Sequence, residues 1–103
     1  MGDRERTAAA LDVEVIWTAA AEADLRQIHA IVADNPAAAP RLADAVIAAA
    51  DSLRALPLKG HPGANGTREW VVPRFRRYLL IYDLDAMAGA VRIVAVWHRS
   101  RQR

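Results

Sequence analysis

The chain has no cysteine in its 103 residues. That excludes disulfides and thiolate metal sites, and suits a reducing cytosol. It has no run approaching the eighteen or so apolar residues that a membrane span needs. Its start, Met1 to Thr7, alternates charges and lacks the apolar segment of a signal peptide. It has no internal repeat and no low-complexity tract. Gly60-His-Pro-Gly63 does not match a phosphate-binding loop, and three scattered histidines make no metal site. No cofactor and no metal are expected, and a soluble, cytoplasmic, single-domain protein is.

Lysine is nearly missing too, and acids are scarce in the second half. Residues 1–56 carry five arginines against nine acids, whereas residues 57–103 carry Lys59 and eight arginines against Glu69, Asp83 and Asp85. The net charge of +2 conceals this segregation. Arginine is the cation suited to bidentate contact with carboxylate or phosphate. A basic half of this kind points to an anionic or acidic partner; the alternative is an ordinary solvated face.

With 53% apolar and 25% charged residues the composition is globular. Residues 1–12 show no usable periodicity and read as a tail or lead-in to a domain over 13–103. Val13–Trp17 alternates as a first strand. Thr18 stands at a helix N-cap, with Glu22 and Asp24 near the positive end of the dipole. Ala21, Leu25, Ile28 and Val32 form one apolar helical face, with His29 beside it as a surface histidine. Asp34-Asn35-Pro36 breaks that helix and starts the next, Asn35 as cap and Pro36 at the first position. Leu42, Val46, Ala49, Leu53 and Leu56 then repeat at helical spacing until Pro57, giving an αα-hairpin.

Leu58–Gly66 reads as loop, rich in glycine and proline. Thr67–Val72, Phe75–Asp83 and Ala90–His98 read as three further strands, the last two joined by a turn over Asp85–Gly89. The expected fold is α+β, two-layered, in the order β-α-α-β-β-β. The helical hairpin packs on one face of a small, antiparallel-rich, four-stranded sheet. Alternation predicts Arg92, Val94, Val96 and His98 on the open face of the last strand, and Val91, Ile93, Ala95 and Trp97 under the helices. Arg77 joins Arg92 and His98 on that open face. Tyr78, Leu80 and Tyr82 share the core side, and Trp17, Trp70 and Trp97 are read as core. Arg68 either pairs with Glu69 or belongs to the binding face.

The chain resembles the RelE/ParE superfamily of bacterial toxins from type II toxin–antitoxin modules. The resemblance is carried by Val15-Ile-Trp-Thr18, Ala23-Asp-Leu-Arg-Gln-Ile28, Asp34-Asn-Pro-Ala-Ala38 and Leu53–Pro57. It continues through Gly60-His-Pro-Gly63, Gly66-Thr-Arg-Glu69, Tyr78-Leu-Leu-Ile-Tyr82 and Val96-Trp-His98. It implies a plasmid-stabilisation type of toxin that arrests growth when free and is neutralised by a cognate ParD-like or RelB-like antitoxin in a hetero-oligomer. Two activities occur in the superfamily: ribosome-dependent mRNA cleavage and poisoning of DNA gyrase.

RNA cleavage needs a base, an acid and cations around the phosphate. RelE-like nucleases place an arginine directly after the tyrosine of the third-strand word, and here Tyr78 is followed by Leu79. Arg77 lies one pleat step back, about 7 Å along the strand, too far to replace it. His98 matches a working histidine of some members; its alternative is a strand-ending residue bonded to backbone. The resemblance thus favours a ParE-like gyrase poison, which need not be an enzyme. Arg68, Arg74, Arg76, Arg77, Arg92, Arg99 and Arg101 are the candidate target- or antitoxin-binding residues. A RelE-like endoribonuclease using His98 with Arg77 and Arg92, and a non-toxic module that only binds an antitoxin, are the alternatives. The antitoxin is expected to offer acids to the arginines and an apolar helix to a groove at the helix hairpin.

Overall fold

Short alternating and β-branched runs make five strands here, and two amphipathic helices cover one side of the sheet they form. The computed structural model describes residues 13–31 and 39–100. The tail over residues 1–12, Val32, the break at Asp34-Asn35-Pro36, and Arg101 lie outside the described residues. The elements are β1 (Glu14–Trp17), α1 (Ala19–Ile31), α2 (Ala39–Asp51), β2 (His61–Pro62), β3 (Arg68–Val71), β4 (Tyr78–Asp85) and β5 (Ala90–His98). They form one sheet in the order β1-β5-β4-β3-β2. β1 runs parallel to β5, and the other pairings are antiparallel.

The expected two-layer α+β order is present, with one strand more than the four expected. Within the stretch read as loop, His61 and Pro62 pair with Glu69 and Arg68. Two residues give no periodicity to read, and proline is tolerated there because this strand sits at the sheet's edge. The third expected strand begins at Tyr78 rather than Phe75 and runs on to Asp85.

Thr18 caps α1 as expected. Its Oγ1 accepts the Ala21 N–H at 3.2 Å and donates to the Ile93 carbonyl at 2.9 Å. The cap therefore also ties the helix start to β5. Ala21 and Ile28 of α1 and Leu42, Val46, Ala49 and Ala50 of α2 are buried against Val72, Leu80, Tyr82, Val91, Ile93 and Val96. Each Val, Leu or Ile side chain buried in this way contributes about 1.5–3 kcal/mol, and each alanine methyl less. After α2 the chain tightens into a 3₁₀ turn, Ser52–Arg54, that still buries Leu53 completely. Leu56, expected on the same stripe, is instead 60% exposed, because the helix has ended before it.

The alternation of β5 does not survive its full length. Ile81 pairs with Ala95, but the next residue, Tyr82, pairs with Ile93, so Val94 is an extra residue in the ladder. Such a bulge shifts the phase of the strand by one. Val91 and Ile93 face the helices before it, and Val96 does so after it. Val96 and His98 were expected on the open face; their pairing with Leu80 and Tyr78 places them on the covered one. Trp97, expected in the core, pairs with Leu79 on the opposite side.

Candidate functional site

The β3–β4 connection is short and turns twice. Phe75 N–H donates to the Val72 carbonyl at 3.1 Å, and Tyr78 N–H to the Phe75 carbonyl at 2.9 Å. Pro73 has no N–H to give to a ladder, so it suits the exit from β3. Arg74 takes a left-handed conformation, φ 72°. Such a conformation costs a non-glycine residue on the order of 1–3 kcal/mol, and residues that hold one cluster at functional sites.

This connection displays Arg74, Arg76 and Arg77, all exposed. Arg99 joins them from the end of β5: its N–H donates to the Arg77 carbonyl at 2.6 Å, and its Nη1 reaches the Arg76 carbonyl at 3.4 Å. Four guanidinium groups thus sit at one end of the sheet. Among the described residues no acid pairs with any of them, which leaves their charge available to an anionic surface.

Arg92 is in a different situation. It forms a two-pronged contact with Asp83 across the β4–β5 ladder, Nε to Oδ1 at 2.9 Å and Nη2 to Oδ2 at 3.0 Å. The hydrogen bond and then the charge of Asp83 raise its pKa further above the usual arginine value. Arg92 and His98 do not converge. They stand six positions apart along the strand, roughly 20 Å at strand rise, and the Val94 bulge puts them on opposite faces. The expected trio of Arg77, Arg92 and His98 on one open face is therefore not formed.

His98 packs edge-on against Tyr78, with ring centroids 4.8 Å apart and planes at 87°. Its Nδ1 accepts the Ser100 N–H at 3.2 Å and also contacts the Ser100 hydroxyl. Arg68 sits apart from the cluster at the end of the sheet. Its partner Tyr82 belongs to the covered face, and Arg68 Nη2 donates to the Leu58 carbonyl at 2.9 Å. No group of three His, Asp or Glu side chains suited to a metal occurs among the described residues.

A groove of about 670 Å³ opens between α2, Trp70 of β3 and the β3–β4 connection. Ala45, Ala48 and Ala49 line one wall, and Trp70, Pro73 and Phe75 the other. Arg41, Asp44, Lys59 and Arg74 also border it, and Lys59 Nζ stands 4.4 Å over the Trp70 ring. The groove lies between α2, one arm of the helix hairpin, and the sheet. The sequence gives little sign of it, because Ala45 and Ala48 sit off the core stripe in a helix already rich in alanine.

No helix among the described residues is long and apolar enough to cross a membrane. Comparison with curated protein sequences finds no match. Among solved structures the chain is similar to the chromosomal ParDE TA system from P. aeruginosa, at 17% identity and TM-score 0.75, covering 85% of this chain and 97% of that one. That likeness speaks to the fold. It is also similar to the toxin–antitoxin complex RelBE2 from Mycobacterium tuberculosis, at 29% identity and TM-score 0.64, covering 87% of this chain and 94% of that one. The model of the family described as ParE toxin of type II toxin-antitoxin system, parDE, matches residues 15–103, and the chain belongs to that family.

Proposed function

We propose that this toxin of a type II toxin–antitoxin module arrests growth by binding and poisoning DNA gyrase, and that a cognate ParD-like or RelB-like antitoxin neutralises it. The observation that carries the reading is the split between its two sets of polar residues. Arg74, Arg76, Arg77 and Arg99 form an exposed cluster with no acid against them among the described residues. The residues a nuclease would use are dispersed, with Arg92 bound to Asp83 and His98 on the other face. In-line attack at a phosphate needs its groups within about 3–3.5 Å of the reacting atoms, which a spacing of roughly 20 Å forbids. A surface that grips a partner needs only complementary charge and shape.

The test uses purified full-length chain with gyrase and relaxed plasmid. A block of supercoiling, with linear DNA trapped on denaturation, is the expected outcome. Unimpaired supercoiling together with cut mRNA on translating ribosomes would overturn the reading in favour of the endoribonuclease. Expression without any loss of growth would favour a module that only binds its antitoxin.

A further inference from the structure

The β3–β4 connection sorts its side chains by chemistry. Phe75 turns inward, where it lines the groove and packs against the core. Arg74, Arg76 and Arg77 are left exposed, and Arg99 is held beside them by the Arg77 and Arg76 carbonyls. Position 74 carries an arginine at φ 72°, where glycine would be unstrained. Pro73 and Ser100, also exposed at this end, carry no charge.

The sheet is electrically polarised along β4. Asp83 and Asp85 stand five and seven positions beyond Tyr78, roughly 17 and 24 Å at strand rise. Exposed charges that far apart are screened from one another at physiological salt, where the Debye length is about 8 Å. Asp83 is moreover committed to Arg92. Asp44 borders the groove that Arg74 also borders, but Arg41 and Lys59 offset it there. The field at the arginine end is therefore positive, with little to cancel it.

A protein partner of the usual kind needs an apolar or aromatic anchor at the centre of the contact, ringed by polar groups. The arginine end offers none among the described residues. The large apolar side chains that are exposed lie elsewhere: Ile16 on β1, Ile47 on α2, Leu56 and Leu58 after it, and Leu84 and Met87 toward the far end of β4. Charge without an anchor is what a nucleic-acid backbone requires, since its affinity comes from cations that displace condensed counterions. Each guanidinium can also bond two phosphate oxygens at once. The connection is a tight double turn. It is not a helix or a two-stranded ribbon that could enter the major groove. Its contacts fall on phosphates, which carry no sequence information.

We infer that Arg74, Arg76, Arg77 and Arg99 bind the sugar–phosphate backbone of duplex DNA without regard to sequence. The choice of duplex rests on the gyrase reading above, which is thereby deepened: the toxin holds the DNA on which gyrase acts, as well as the enzyme.

The experiment measures binding of the free full-length chain to a labelled, mixed-sequence duplex of about 20 base pairs by fluorescence anisotropy, between about 50 and 200 mM salt. The logarithm of the association constant should fall with the logarithm of salt concentration with a slope of about −3 to −4, the value for four neutralised phosphates. Arg76→Gln/Arg77→Gln, with its circular dichroism unchanged, should bind at least tenfold more weakly at about 100 mM salt and flatten the slope by about 2. Arg92→Gln removes the same kind of charge from its pair with Asp83 and should match wild type. A duplex of unrelated sequence should bind equally well.

No binding of duplex by wild type, or an unchanged slope in the folded Arg76→Gln/Arg77→Gln variant, would overturn the inference. Supercoiling still blocked by the same preparations would leave the gyrase reading standing. Tighter binding of an RNA hairpin of the same length would overturn the inference in favour of RNA. Capture of gyrase without DNA that is lost in Arg76→Gln/Arg77→Gln, with duplex affinity intact, would overturn it in favour of a protein surface. Duplex binding as expected, with gyrase unblocked, would overturn the gyrase reading alone.

Discussion

The Tyr82 hydroxyl and the Gly60 amide are hydrogen-bonded at 3.0 Å inside the protein, although 22 positions separate them in sequence. The same hydroxyl donates to the Pro57 carbonyl at 2.7 Å, so one side chain closes the loop that follows α2. Only glycine fits at position 60. A Cβ there would lie 2.6 Å from the Tyr82 hydroxyl oxygen, 2.8 Å from its Cε1 and 2.9 Å from the Glu69 carbonyl. Tyr82→Phe leaves a buried donor and acceptor without partners and should cost about 1–3 kcal/mol in urea denaturation. Gly60→Ala should cost more. The double variant should recover only part of the loss, because the contact with the Glu69 carbonyl remains. An equal loss in Tyr82→Phe/Gly60→Ala and in Gly60→Ala would show that the hydroxyl takes no part in the clash.

Asp24 reaches from α1 to the sheet just beyond the Val94 bulge, where its Oδ2 accepts the Val96 N–H at 3.0 Å. Thr18 holds the other side of the bulge through the Ile93 carbonyl. Asp24→Ala should destabilise by about 1.5–3 kcal/mol, the range for hydrogen bonds to a charged group. Asp24→Asn keeps a carbonyl oxygen in place and should lose less. Amide hydrogen exchange at Val96 is the specific readout. It should quicken in Asp24→Ala more than global unfolding accounts for, and an unchanged excess would exclude the local tie.

Much of the fold was legible because helical stripes and strand alternation are periodic. The stripe through Leu42, Val46, Ala49 and Leu53 fixed which side of α2 is buried, and Thr18 marked the start of α1. The bulge was not legible. Val91 to Trp97 is β-branched or apolar at almost every position, so no polar residue reveals where the phase slips, and the stabilising contacts come from Thr18 and Asp24, more than 70 residues away. A one-residue slip reverses every later side chain. That reversal moved His98 off the face expected for it. The pairing of Arg92 with Asp83 was hidden for a related reason, since it depends on cross-strand register.

The two kinds of arginine should separate in growth assays. Arg92→Ala removes a charge that Asp83 already neutralises and should leave growth arrest intact. Arg76→Glu/Arg77→Glu reverses two exposed charges that have no acid partner among the described residues, and should abolish arrest with the circular dichroism spectrum preserved. Equal loss of arrest in the folded Arg92→Ala variant would move the functional surface to the open face of the sheet.

His98→Ala tests the endoribonuclease reading directly. The ring packs on Tyr78 and bonds Ser100, both contacts that end a strand tidily. Its removal should lower stability slightly and leave growth arrest undiminished. Loss of arrest with unchanged stability, accompanied by loss of ribosome-dependent mRNA cleavage, would return His98 to a chemical role.

Arg74 offers a test in which stability and function are expected to move in opposite directions. Its φ of 72° is unfavourable for any residue with a Cβ. Arg74→Gly relieves strain on the order of 1–3 kcal/mol and forfeits about 0.5–1 kcal/mol to the freer unfolded chain. The melting temperature should therefore hold or rise. Arg74→Ala loses the same charge without relieving the strain, so its melting temperature should stay below that of Arg74→Gly. Both should weaken the binding of duplex DNA, since both remove a guanidinium from the cluster. If both variants melted together yet bound duplex DNA like wild type, neither the strain nor the charge of Arg74 would have the role given to it.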